Sequence, residues 1–273
     1  MTLLSFVWNF DPVLVHLGPM QIRYYGVLFA LAFILAYNIL ERIFKNDNAP
    51  ENWIETLFFY IIAATIIGSR LGHVFFYGWD YYKDHLLEIF AVWHGGLASH
   101  GGAIGIVVAV WIFSNKVSKN SPLWVMDRLM IVVALAGAFI RLGNFLNSEI
   151  IGKVTDMPWG VVFMRANDIA SPELPHHPTQ LYEACIYFAT FIILMLVYWK
   201  TEAKKYAGLL FGFSLIGIFA TRFLVEFIKE PQEGWEANLP IDMGQILSIP
   251  FIIAGVYFIY TAYKKWQSEK ISK

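Results

Sequence analysis

The sequence predicts an all-α membrane protein of seven transmembrane helices, and three observations predict it. Hydrophobic residues fill 58% of the 273 positions and charged ones only 15%, against about 25% charged in a soluble domain. Apolar runs near the twenty residues that a bilayer core requires recur seven times. The basic residues between those runs fall unevenly on alternate sides. The chain is expected to form one integral membrane domain over residues 1–273, with a long outward-facing loop or small head element at about 144–178.

The runs are Tyr24 to Leu40, Ile54 to Tyr77, Gly95 to Phe113, Leu123 to Leu142, Thr179 to Trp199, Gly208 to Phe227 and Gly244 to Tyr263. Segments on one side hold eleven Lys and Arg, among them Arg42, Lys45, Lys116, Lys204 and Lys264; those on the other hold five, namely Arg23, Lys83, Lys153, Arg165 and Lys229. The richer side is expected to be cytoplasmic, which puts the N-terminus outside and the C-terminus inside. The start, Met1 to Met20, lacks a basic n-region and is broken by Asp11, Pro12, Gly18 and Pro19, so it reads as retained rather than cleaved. No internal repeat of the kind many transporters carry is visible. In the long interval, Met157 to Phe163 reads as a short strand or interfacial turn bounded by Pro and Gly.

The composition excludes several classes. A net charge of −1 does not suit a basic nucleic-acid binder. Cys185 is the only cysteine, so an internal disulfide, a thiolate metal cluster and a two-cysteine redox cycle are all excluded. Cys185 falls mid-span in apolar surroundings, where a thiol is expected to be buried and inert.

Polar residues then stand out against the apolar background. Gly137 to Gly152 reads G-A-F-I-R-L-G-N-F-L-N-S-E-I-I-G and places Arg141, Asn144, Asn147 and Glu149 in quick succession at a span end. An arginine at a helix centre costs about 2.5–3.5 kcal/mol on insertion scales, so one kept in a span asks for a function. Arg141 and Asn144 are three apart and share a face, and a guanidinium fork beside amides suits a phosphate headgroup. The bland reading is snorkelling of Arg141 with helix capping by the asparagines.

Arg70, within G-S-R-L-G-H, reads as a structural arginine paired with a carboxylate or with backbone carbonyls; Asp127-Arg128 reads as an interfacial anchor. His94 to Gly102, H-G-G-L-A-S-H-G-G, opens the third span with four glycines that a ligand can approach and with His100 as a candidate general base. His177 to Glu183, H-P-T-Q-L-Y-E, opens the fifth span with Thr179 as the expected N-cap and with Gln180 and Glu183 three apart. Arg222 and Glu226 are i, i+4 at the end of the sixth span: either a self-neutralising pair, or a second cation for the same anion, oriented by Glu226. Tyr25 opens the first span, and Gln245 and Ser248 share a face at the start of the seventh.

Taken in order, R-L-G-N-F-L-N-S-E-I-I-G with H-G-G-L-A-S-H-G-G, H-P-T-Q-L-Y-E, R-F-L-V-E-F and M-G-Q-I-L-S-I-P resembles the bacterial phosphatidylglycerol–prolipoprotein diacylglyceryl transferases. The resemblance runs from about Tyr25 to Pro250, with Ile140 and Lys229 standing where the family usually has Gly and Arg. It implies a multi-pass enzyme of the bacterial inner membrane with its active site toward the outer face. Its partners would be phosphatidylglycerol, a prolipoprotein signal peptide carrying a lipobox cysteine, and membrane lipids, with no cofactor and no metal. It also implies the reaction: diacylglyceryl passes to the cysteine thiol and glycerol 1-phosphate leaves. By match to the motifs, Arg141 and Asn144 would hold the phosphoglycerol headgroup and Asn147 would line it. Glu149 and Gly152 would shape the loop, Arg222 would be a second phosphate cation set by Glu226, Tyr25 would touch the headgroup, and His100 would be the base or would position the thiol. An anion or lipid transporter using the same arginines is the alternative; it calls for pseudo-symmetric halves, and the clusters gather instead at outward span ends.

Two expectations are testable directly. Single cysteines at Asn9 and Ser268 in a Cys185→Ala background should label from opposite faces, Asn9 with an impermeant reagent on intact cells; labelling of Ser268 instead would reverse the topology. The Cys185→Ala protein itself should keep most of its transfer activity per unit of inserted protein, and an inactive but normally inserted variant would point to catalysis through the enzyme's own thiol.

Overall fold

The structure is a computed structural model; it describes residues 6–18, 20–167, 169, 171–230 and 241–271. Lys273, counted among the inner basic residues, and the first five residues of the start lie outside these. Seven helices are long and apolar enough to cross a membrane: α1 (Tyr24–Asn46), α2 (Asn52–Phe76), α3 (Ser99–Ser118), α4 (Pro122–Leu146), α5 (Thr179–Lys200), α6 (Leu209–Glu226) and α7 (Met243–Ile271). All seven coincide with the apolar runs. All but α6 extend past at least one expected end, because polar residues such as Arg42, Lys45 and Lys200 continue the backbone hydrogen bonding beyond the apolar stretch. The chain divides into two compact units, residues 37–126 and residues 1–36 with 127–273.

In the 37–126 unit, α2 and α3 approach until their backbones touch. A Cβ on Gly72 would stand 2.7 Å from the Gly101 Cα, one on Gly101 would stand 2.8 Å from the Gly72 Cα, and one on Gly102 would stand 2.5 Å from the Ser69 hydroxyl. Gly68 and Gly105 are crowded in the same way, by the backbone of Gly101 and Ala64. This is the small-residue packing by which helices associate where lipid supplies no hydrophobic drive. It corrects the ligand-approach reading of the H-G-G-L-A-S-H-G-G glycines: Gly101 and Gly102 are buried against α2.

Arg70 is the polar anchor of this unit. It is buried, and its Nε donates to the Ile89 carbonyl at 2.9 Å, one terminal nitrogen to Gly95 at 2.6 Å, and the other to Glu88 at 2.6 Å. Gly95 and Gly96 have φ of 82° and 69°, and a Cβ on Gly96 would meet the His73 ring and Arg70. These glycines turn carbonyls toward the guanidinium. Arg70 is thus structural, and carbonyls rather than a carboxylate satisfy it.

In the other unit, Asp127 and Arg128 are buried. Asp127 accepts from the backbone N–H of Gly208 at 2.8 Å and of Phe211 at 2.7 Å, capping the N-terminus of α6, where a carboxylate complements the helix dipole. Arg128 donates to the Lys204 carbonyl at 3.2 Å. Helices α6 and α7 also meet through glycine, since a Cβ on Gly212 would stand 2.8 Å from the Gly255 carbonyl.

Four short strands are described: Phe6–Trp8 (β1), Val13–Leu17 (β2), Met20–Arg23 (β3) and Val161–Phe163 (β4). β4 falls within the Met157 to Phe163 piece that is open, in the sequence, to a short strand or an interfacial turn; it runs parallel to β1, while β2 pairs antiparallel with β3. Phe145, Ile151, Val161 and Phe163 form a small buried core, with Trp8 and Leu181 packed on it. Phe145 and Ile151 bring this core to both sides of the turn that ends α4. Cys185 is exposed on α5 rather than buried as expected.

The glycine contact predicts a specific defect. Gly101→Leu must displace the α2 backbone, and overpacking of this kind typically costs about 1–3 kcal/mol or more. The variant should lose monodisperse protein in detergent, whereas Gly26→Ala, with open space around its Cβ, should not. Equal recovery of the two proteins by size exclusion would disprove the packing role.

Candidate active site

The C-terminus of α4 builds the first half of the site. Arg141 and Asn144 lie one turn apart, and Arg141 donates to the Asn144 amide oxygen at 3.4 Å. After Leu146 the chain turns sharply, with Ser148 and Ile150 both in the left-handed region at φ of 55° and 56°. Two non-glycine residues in that region within three positions are costly and are kept only where surroundings impose them. The turn folds Glu149 back over the helix end: its N–H bonds to the Asn144 carbonyl at 3.0 Å, and its carboxylate accepts from Asn144 at 3.3 Å and Asn147 at 3.1 Å. From α5, Gln180 donates to the Glu149 carbonyl at 2.6 Å and Thr179 to the Ile150 carbonyl at 3.0 Å. Thr179 is therefore no N-cap, since that place belongs to Pro178 and the hydroxyl ties α5 to the turn. Tyr25 packs its ring against the backbone of Gly143, 2.5 Å from a Cβ built there, and stands within electrostatic reach of Glu149 and Arg141.

Gly152 is fixed by backbone proximity: a Cβ there would stand 2.6 Å from the His177 Cβ and 2.7 Å from its carbonyl. Its N–H donates to the His177 carbonyl at 3.0 Å, and its own carbonyl lies 2.8 Å from Nδ1 of the buried His176. Gly152 also bridges to Lys229 across the segment after α6. The neighbouring His177 ring lies 3.2 Å from the Tyr182 hydroxyl, and burial holds its pKa below the ordinary imidazole value, so the neutral form dominates at neutral pH.

The second half is a buried cluster of charges. Arg141 Nε lies 3.0 Å from the Glu183 carboxylate, itself wholly buried. The same Glu183 oxygen lies 3.6 Å from Lys229 Nζ, and Lys229 reaches Glu226 at 3.1 Å. The Tyr187 hydroxyl donates to the other Glu183 oxygen at 3.3 Å. The far end of this chain of charges is closed by Gly244 at the start of α7, where a Cβ would stand 2.5 Å from the Glu226 carboxyl carbon.

Arg222 stands apart from the expected pair. Glu226 pairs with Lys229, and the Arg222 Nε is buried without a hydrogen-bond partner among the described residues. Gln245 and Ser248 serve the helices: Gln245 donates to the Phe223 carbonyl at 3.2 Å and Ser248 to the Gly244 carbonyl at 2.6 Å. His100 belongs to the 37–126 unit, where its exposed ring packs against Phe76 and Tyr77 at centroid distances of 5.5 and 5.6 Å. The His94 side chain lies outside the described residues.

Of the residues expected at the site, Tyr25, Arg141, Asn144, Asn147 and Glu149 thus surround one turn, and Gly152 and Glu226 join it through the His177 backbone and Lys229. The sequence reading missed Lys229, Tyr187 and His176, and it left Glu183 without a partner. Only Tyr187, four residues after Glu183, and Lys229, three after Glu226, carried a local signal.

Residues 12–261 match the family model described as prolipoprotein diacylglyceryl transferase. A phosphatidylglycerol–prolipoprotein diacylglyceryl transferase of Tolumonas auensis is 46% identical over 94% of this chain and 98% of its own length. Proteins of the same name from Chloroherpeton thalassium and Porphyromonas gingivalis are 47% identical over 97% of each chain and 44% identical over the full length of both. The chain belongs to the prolipoprotein diacylglyceryl transferase family.

Proposed function

We infer that this chain transfers diacylglyceryl from phosphatidylglycerol to the thiol of a lipobox cysteine, releasing glycerol 1-phosphate, with Arg141 and Arg222 as the cations for the phosphate. The observation that carries the residue assignment is the buried Arg222 Nε without a partner, in a unit where the deep cations Arg141 and Lys229 are matched by Glu183 and Glu226. A guanidinium with a donor left unsatisfied in this way suits an anionic ligand. The comparisons give the transporter alternative no support.

The chemistry follows from the groups. The sulfur attacks as thiolate, displacing the phosphate oxygen at the glyceryl carbon: one C–O bond breaks, one C–S bond forms, and the thiol proton leaves to a base. The leaving group passes from a diester toward a monoester and gains negative charge. Cations already in place stabilise that charge without reorganising. Asn144, Asn147 and Tyr25 border the headgroup, and Glu149 holds the two amides. The site opens toward the outer face of the inner membrane, with the N-terminus outside. The basic asymmetry supports this orientation, and it sharpens once Lys229, counted among the outer five, is recognised as buried in the charge cluster.

Arg141→Ala and Arg222→Ala should each lower transfer from labelled phosphatidylglycerol to a lipobox peptide by about 10²–10³-fold at normal membrane levels, the usual effect of removing one preplaced donor. Arg141→Lys should stay severely impaired, because lysine lacks the fork. The double alanine variant should lose less free energy than the two singles summed, since both act on one phosphate. Full activity in Arg222→Ala would remove it from the site.

A further inference from the structure

We propose that Glu183 is a positioning residue for this reaction: its carboxylate holds Arg141 at Nε and aims the rest of the guanidinium at the phosphate of the donor lipid. The proposal rests on the reading of Arg141 as a phosphate ligand.

A guanidinium is a rigid plane with five donors, so restraining Nε and the plane restrains where the terminal nitrogens point. Glu183 supplies the ion-pair contact to Nε at 3.0 Å from a fully buried position. Its own orientation is held from two sides, by the Tyr187 hydroxyl at 3.3 Å and by Lys229 at 3.6 Å. A plain counter-charge role does not require this arrangement. Lys229 already has the closer carboxylate in Glu226, at 3.1 Å, which leaves Glu183 to Arg141. On its other side Arg141 donates to the Asn144 amide oxygen at 3.4 Å, while the Glu183 contact at 3.0 Å is a close ion pair in which the carboxylate oxygen makes no hydrogen bond.

Three variants test the idea in membranes, with labelled phosphatidylglycerol and a lipobox peptide. Glu183→Gln keeps the shape and removes the charge. It should lower kcat by about 10²-fold, the scale of a small misplacement of a catalytic group, and leave the KM for the peptide unchanged. The pair Glu183→Gln, Lys229→Met removes one charge of each sign and so keeps the net charge of the cluster; at normal membrane levels it should stay at least about tenfold slow. Glu183→Asp keeps the charge but shortens the reach, and it should also be slow. Wild-type kcat in the charge-balanced pair, or in Glu183→Asp, would reduce Glu183 to a counter-charge and overturn the proposal. Arg141→Ala separates the two readings: if that variant is active, the phosphate assignment fails on its own account.

Discussion

The contact between Arg141 and Glu183 is the constraint on which the rest of the site depends. It joins α4 to α5 at 3.0 Å, with Glu183 wholly buried and Arg141 largely so. Such a pair is weak evidence for stability, because the desolvation of two charges offsets most of their attraction. Losing one partner is a different matter, since an uncompensated buried charge costs about 3–5 kcal/mol. The pair is best understood as fixing a geometry. Around it, Lys229 and Glu226 extend the chain of charges to α6, and Gly244 gives α7 room to close over the Glu226 carboxylate.

The strained turn after α4 serves the same geometry. Ser148 and Ile150 adopt left-handed backbone so that Glu149 can reach back to Asn144 and Asn147. Gln180 and Thr179 then pin the turn from α5 through its carbonyls. One helix start therefore supplies both the anchor for the turn and, one turn later, the carboxylate for Arg141. The small core of Phe145, Ile151, Val161 and Phe163 supports the turn from the other side.

The seven spans were legible because a bilayer demands long apolar runs, and Arg70 was legible in kind because a buried cation must find oxygen. Tyr25, Arg141, Asn144, Asn147 and Glu149 stood out as polar residues in apolar surroundings. What misled was local spacing. Arg222 and Glu226 are placed to pair, yet Lys229 takes Glu226, since a lysine on the segment after the helix can fold back to a carboxylate that spacing alone assigns elsewhere. Glycines near His100 suggested room for a ligand, whereas the room is taken by α2. The Arg141–Glu183 contact spans two helices, and no periodicity within either announces it.

These contacts leave the two arginines in different states, and the difference fits the reaction. Arg141 is ion-paired before any ligand arrives; Arg222 retains a buried Nε with no partner among the described residues. On the proposed reading the donor phosphate enters as a diester and leaves as a monoester, whose charge at neutral pH approaches −2. A restrained cation orients the ground-state phosphate without moving during the reaction. A cation with an unsatisfied donor is where additional negative charge is best received. On that reading the site divides the work between a guanidinium whose direction is set by Glu183 and one whose bonding capacity is held open.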